Sequence, residues 1–444
     1  MILTNIRNRF LTTPDDVTEA NIRYLYLEIL FAAILGAITT FNSLFVVRLG
    51  ASAPLIGILT SAPALITALT SIPSARYLEG KRDRKAWLLH SLFLMRISHL
   101  GLVLIPFIFP YQAPYTLPAQ PNLQGYLNAI HHVPSITAYW LTAWILLLFL
   151  PNAFFSNGFN AMLAELIPDR RRAFVFSRRT IIWQLVTTVI TLGVGFFLDR
   201  STSIFPLNYQ LLYLLGVITA MGSQHFLWKL VVAAQAETAK PAEHTKVIRV
   251  PLSRPMRAYL LNVFIYMCGL YLPGPLFVLH YVNDLQASDG LISINSAAGT
   301  LGFVVGLYLW EKVIAKHGFF WSIRLATCFT WIFPFAVALT RDFTLVILAN
   351  IVVNFIHPGV ELSLVNVIFK LCKSEHRNMN MSYYTVVLSL AAFIMPLLTV
   401  PLSSAIGIPA VMLIAAFLRI GGGIMFNLNK VQEGHPQPVL QGAT

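Results

Sequence analysis

The chain has 444 residues, of which 57% are hydrophobic and only 11% charged. Soluble domains are about a quarter charged, so this composition excludes an ordinary water-soluble fold and requires lipid as solvent. A formal charge of +13 in a soluble protein suggests nucleic acid, but the placement of the charge here gives it a different meaning.

A helix of about 20 apolar residues crosses a bilayer, and lipid forces the backbone to satisfy itself internally. Residues 1–22 carry Asp15, Asp16 and Glu19 ahead of a long apolar run, which is not the pattern of a cleavable signal peptide. Twelve spans are predicted: 24–47, 54–75, 87–110, 140–166, 181–198, 211–232, 258–281, 290–310, 319–340, 343–369, 381–404 and 407–427. The linkers at 48–53 and 341–342 are so short that their neighbours must form hairpins. The expected fold is an all-α membrane protein.

Lys and Arg set the orientation. With the N-terminus cytoplasmic, the inner segments hold 25 of the 31 basic residues, among them Arg82, Arg84, Lys85, Arg178 and Arg179. The outer segments keep Arg48, Arg200 and Arg341, while Arg96, Arg324 and Arg419 fall inside spans. This asymmetry explains the net charge without nucleic acid and places both termini on the cytoplasmic side of a plasma or inner membrane. Trp87, Trp140, Trp228, Trp310 and Trp321 fall near predicted interfaces, as aromatic belts do. Cys268, Cys328 and Cys372 form neither a disulfide framework nor a metal-ligand spacing.

The chain repeats itself. Residues 51–65 match 287–301 at Ala51/Ala287, Ser52/Ser288, Leu55/Leu291, Ile56/Ile292, Ile58/Ile294, Ala62/Ala298 and Leu65/Leu301, an offset of 236. Just upstream, Leu44-Phe45-Val46 matches Leu276-Phe277-Val278 at 232, so the second copy gains four residues between the two blocks. Phe154, Gly158, Leu163 and Ile167 match Phe355, Gly359, Leu364 and Ile368 at 201. Three ordered matches indicate a duplication: six spans in 1–232, a connector in 233–257 and six spans in 258–444.

Two parallel six-helix halves are the layout of the major facilitator superfamily, and the sequence resembles that family over nearly its whole length. The loop Arg76-Tyr77-Leu78-Glu79-Gly80-Lys81-Arg82-Asp83-Arg84-Lys85 is similar to a degraded form of the family's signature after the second span. The loop Pro168-Asp169-Arg170-Arg171-Arg172-Ala173 resembles the family's Pro-acid-x-x-Arg-small segment. The antiporter signature of the fifth span, rich in glycine and containing Gly-Pro, is absent; Gly193 and Gly195 stand there without proline. The resemblance implies secondary transport of a small solute by alternating access, with spans one, four, seven and ten lining the cavity.

Ionisable groups inside a membrane are candidate sites. Asn350, Asn354, His357 and Glu361 share one stripe of the tenth span, beside a Pro358-Gly359 pair expected to interrupt the helix. Glu361, with His357, is the candidate proton carrier. The duplication sets Asn160 opposite Glu361, and Asn157 joins Asn160 on the fourth span. Glu28 lies near the start of the first span, where the alternative is a carboxylate snorkelling to the interface. Arg96 and His99 sit mid-way along the third span, and Arg96 is expected to pair with Glu28. Asn262, Tyr266 and Cys268 are further lining candidates. Arg82, Asp83, Arg84 and Lys85 form a candidate cytoplasmic gate, with plain lipid contact as the alternative. Gly302 and Gly306 allow close helix packing.

The expected partners are a small solute, the bilayer and protons, for a monomeric chain needing no cofactor. No HExxH, GxSxG or phosphate-cradling loop supports an embedded enzyme. A sensor or lipid-handling protein on the same fold is the alternative reading. Few candidates are charged, which favours a neutral, amphipathic or singly charged solute.

Overall fold

The computed structural model describes residues 17–79, 84–109, 135–167, 169–231, 252–372 and 377–428. Apolar runs with no water to satisfy their amides become helices, and sixteen follow in order. They are α1 (Val17–Thr39), α2 (Asn42–Arg48), α3 (Ala53–Glu79), α4 (Arg84–Ser98), α5 (Leu100–Ile108), α6 (Ile136–Leu166), α7 (Asp169–Arg200), α8 (Leu207–Trp228), α9 (Arg254–Tyr271), α10 (Gly274–Leu279), α11 (Asp289–His317), α12 (Phe319–Thr327), α13 (Ile332–Leu339), α14 (Phe343–Leu371), α15 (Arg377–Ile406) and α16 (Ile408–Leu428). Four spans are broken into pieces, so these helices make twelve crossings. Eleven are long and apolar enough to span among the described residues. The twelfth, α6, is a 31-residue helix that includes the apolar stretch Ile136–Asn152. The twelve-span fold read from the sequence is the fold observed.

The broken spans carry the duplication into the geometry. The first span breaks at residues 40–41 and the seventh at 272–273, again an offset of 232. The third span breaks at His99 and the ninth at 328–331. Gly50 has φ 86° and Gln286, 236 residues later, has φ 49°, so both copies turn through the left-handed region before the next span. The four extra residues of the second copy fall where the chain forms a π-helical turn, His280–Asp284. The added residues end the seventh span in this wide turn, and Ala53 and Asp289 still open their helices at equivalent positions.

Breaks expose carbonyls, which must find donors. At the third span, Trp144 Nε1 donates to Ser98 O at 2.6 Å and rests on Gly101. At the seventh and ninth, the buried Arg419 supplies them, with Nε donating to Gly269 O at 3.0 Å and Nη1 to Thr330 O at 2.8 Å. Gly269 lies in the last turn of α9 and Thr330 just beyond α12. Two helix C-termini therefore direct their negative dipole ends at one guanidinium, which accounts for a buried arginine with no carboxylate in contact among the described residues.

The described residues form two compact units. The first comprises those of 1–116, 131–245 and 288–297, the second those of 246–287 and 298–444. In the first, Asp289 accepts from Arg48 Nη2 at 2.7 Å and from Tyr209 Oη at 2.6 Å, and Asp199 accepts from Ser288 Oγ and Gly290 N at 2.8 and 2.9 Å. Asn21 exchanges two hydrogen bonds with the backbone of Val231, and Lys85 Nζ donates to Trp228 O and Leu230 O. Lys85 thus caps the C-terminal end of α8.

In the second unit, α11 lies close against α14. A Cβ on Gly302 would sit 2.8 Å from Ile351 O, and one on Gly306 2.2 Å from Phe355 O. Lipid supplies no hydrophobic force between spans, so small residues that admit close packing carry the association. The expectation of a Pro358-Gly359 interruption is corrected: α14 runs unbroken from Phe343 to Leu371 with Pro358 inside it. Trp310 lies over the missing Cβ of Gly359, and its Nε1 donates to Phe355 O at 3.1 Å in the turn that proline loosens. Trp310 is accordingly buried, while Trp87, Trp140, Trp228 and Trp321 are exposed.

Candidate functional site

A cavity of about 480 Å³ opens within the first unit. Each lining span presents one helical stripe to it: Glu28, Ala32, Leu35, Gly36 and Thr39 from α1; Leu92, Met95, Arg96 and His99 at the α4–α5 break; Ile145, Phe149, Asn152, Phe155 and Phe159 from α6; and Arg179 with Trp183 from α7. The spacings of three, four and seven keep each set on one face. Trp183 fits because residue 36 is glycine; a Cβ there would lie 2.4 Å from the indole.

The charged groups meet at one level. Spans one, three and five run in the same direction, and Glu28, Arg96 and Arg179 lie 11, 12 and 10 residues inside α1, α4 and α7. At 1.5 Å per residue each is about 15–18 Å from its helix start. Glu28 is therefore three turns into its helix and, at 4% exposure, enclosed by protein. Its Oε1 accepts from Ser223 Oγ at 3.1 Å and lies 3.8 Å from Arg96 Nη2. Its Oε2 lies 2.9 Å from Arg179 Nη1, an ion-pair contact without the alignment of a hydrogen bond.

Both arginines are held by neutral groups as well. Arg96 donates to Gln224 Oε1 at 2.9 Å and Ser223 Oγ at 2.7 Å, and Gln224 is itself fixed through Nε2 to Leu89 O. Arg179 donates to Leu25 O at 3.0 Å, and its guanidinium stands 5.5 Å from the Phe159 ring centre. His99 Nδ1 lies 2.8 Å from Met95 O. Burying a charge is costly unless it is paired, and here two guanidiniums share one carboxylate.

The sequence pointed to Glu28, Arg96 and His99, and the structure brings them together. It assigned Arg179 to a cytoplasmic loop; Arg179 is instead 8% exposed and inside the cavity. The helical pairing of Arg179 with Trp183 at i, i+4 was the available signal. Asn152, Ser223 and Gln224 had no such signal, because uncharged polar residues are common in spans. The third span, expected to stand outside the lining, contributes Arg96 and His99.

The tenth-span stripe belongs to the second unit. Asn354 Nδ2 donates to Asn350 Oδ1 at 2.7 Å, and His357 Nδ1 lies 3.8 Å from Glu361 Oε1, whose side chain is 54% exposed. Asn262 and Tyr266 are fully buried in packing against α16, Asn262 Nδ2 donating to Met425 O at 3.1 Å. Arg82 and Asp83, and the side chains of Arg84, Asn157 and Asn160, lie outside the described residues.

The sequence model of the Major Facilitator Superfamily matches residues 259–442. No curated protein matches the chain in sequence. Among solved structures, a bacterial homologue of the iron transporter ferroportin in an inward-facing state is similar, with a TM-score of 0.68 and 10% identity over 94% of this chain and 99% of that one. A bacterial homologue of the human lysosomal transporter Spinster gives 0.63 and 12% over 94% and 98%. The nucleoside transporter NupG gives 0.63 and 12% over 94% and 100%. At such identities these structures share a fold with the chain. Residues 259–442 thus match the sequence model of the Major Facilitator Superfamily, and the described residues share the twelve-span fold of these solved transporters.

Proposed function

We propose that this protein is a secondary transporter that carries a small solute across a plasma or inner membrane by alternating access. One observation supports this above the others: a carboxylate and two guanidiniums meet, buried among the spans, at the wall of a cavity large enough for a metabolite. Ionisable groups enclosed by spans are retained where they serve a solute or ion, and ligand cavities run from about 300 to 1,000 Å³. The basic inner segments support cytoplasmic termini. The chain acts as a monomer.

Coupling to protons is assigned to Glu361, with His357 one turn away at 3.8 Å. Asn350 and Asn354 stand on the same stripe. Asn157 and Asn160 are proposed as solute contacts, and Arg82, Asp83, Arg84 and Lys85 as an inner gate. Flux of labelled compounds into proteoliposomes, with and without a pH gradient, tests the reading. Wild-type protein is expected to accumulate its solute only with the gradient, and Glu361→Gln to lose accumulation while keeping solute exchange. Undiminished accumulation in Glu361→Gln removes the proton role. No flux across a broad panel of solutes removes transport and leaves a sensor or lipid-handling protein on this fold.

A further inference from the structure

We propose that the cavity of the first unit binds a singly charged oxyanion with an apolar body: a carboxylate, or a sulfate or phosphate ester carrying one charge. The inference deepens the transporter reading by naming the chemistry of the solute, although the binding itself can be measured without transport.

The charge balance carries the argument. Among the described residues, the lining holds two arginines and one glutamate. Glu28 lies between them, 2.9 Å from Arg179 and 3.8 Å from Arg96, so one positive charge is left over at 4–10% side-chain exposure. The other partners of the pair are neutral: Ser223, Gln224 and the Leu25 carbonyl. Such a site contrasts with Arg419, which two helix ends stabilise. Leu25 lies within α1, where its carbonyl offers no helix terminus. An anion entering the cavity completes a two-by-two arrangement of charges, which in a weakly polar site is far more stable than the three-charge cluster.

Geometry sets the remaining features. Arg179 uses Nη1 toward Leu25 and Glu28, leaving Nε and Nη2 without a hydrogen bond among the described residues. That edge of the fork suits a planar or tetrahedral oxyanion. Beyond it the walls are apolar and aromatic, with Leu92, Ile145, Phe149, Phe155, Phe159 and Trp183. A small inorganic anion would leave this surface unfilled, and a dianion would exceed the single spare charge. An aromatic or short aliphatic acid satisfies both parts.

Calorimetric titration of the full-length protein in neutral detergent tests the inference with three probes of one shape: naphthalene-2-acetate, naphthalene-2-acetamide and 2-(2-naphthyl)ethylamine. The acetate is expected to bind at least about tenfold more tightly than the amide, the equivalent of one charge-assisted hydrogen bond, and the amine more weakly than either. In Arg179→Met the advantage of acetate over amide should fall to within about twofold. Where that variant is not monodisperse, Arg179→Lys takes its place; it keeps the charge and loses the fork, and should cut the advantage at least about threefold. Equal binding of acetate and amide, preference for the amine, no acetate binding at millimolar concentration, or an advantage unchanged by the Arg179 variant overturns the proposal. Acetate binding without flux would remove transport alone, and flux of neutral solutes without acid preference would remove this inference alone.

Discussion

Arg179 approaches Glu28 more closely than Arg96 does, 2.9 Å against 3.8 Å. Three helices distant in sequence are therefore tied at one depth, with Glu28 as the shared counter-charge. Glu28→Gln removes the only carboxylate that lines the cavity among the described residues and leaves both guanidiniums buried. Breaking a buried pair in this way costs about 3–5 kcal/mol. Thermal melting of the purified variant in detergent should show a fall of several degrees or more; a melting curve matching wild type would mean that the arginines are solvated without Glu28.

Arg419→Met leaves the carbonyls of Gly269 and Thr330 at two helix breaks without their donor. Each orphaned buried acceptor costs about 1–3 kcal/mol. The variant should be destabilised by about 2 kcal/mol or more, and Arg419→Lys by less, since an ammonium reaches one of the two. Comparing the melting midpoints of the pair checks the order.

Gly306→Ala places a methyl group 2.2 Å from Phe355 O, and Gly302→Ala places one 2.8 Å from Ile351 O. Neither neighbour is a flexible side-chain tip; both are backbone, so the helices must separate. Overpacking of this kind costs about 1–3 kcal/mol. Gly306→Ala should be the more damaging of the two in a thermal scan.

Gln286 occupies the left-handed region that its counterpart Gly50 occupies at no steric cost. Left-handed backbone costs a side-chain-bearing residue about 1–2 kcal/mol, part of which a glycine returns as unfolded-state entropy. Gln286→Gly should raise stability by up to about 1 kcal/mol, whereas Gly50→Gln should lower it. Reciprocal melting shifts are the expected signature.

The fold was largely legible because hydropathy, charge asymmetry and duplication are long-range signals that reinforce one another. Even the local insertion between Val278 and Ala287 could be located, although not its resolution into a π-turn. The site was legible only in part. Glu28 and Arg96 announced themselves as charges inside apolar runs. Arg179 did not, because α7 begins at Asp169, well before the apolar run starts, and a basic residue on that early helix reads as loop. Pro358 misled for a related reason: proline breaks an isolated helix, but in a packed bundle Trp310 supplies a donor to the loosened turn. Burial, not local propensity, decided both cases.

The π-turn at His280–Asp284 bears on how the two halves came to differ. In an ordinary α-helix, added residues rotate everything beyond them about the helix axis and present new faces to old neighbours. A widened turn followed by a left-handed residue takes up the surplus before the next span begins. One half of a duplicated helical bundle can thus change length while the next span still opens at the equivalent position, so that divergence of one copy does not demand matching changes in the other.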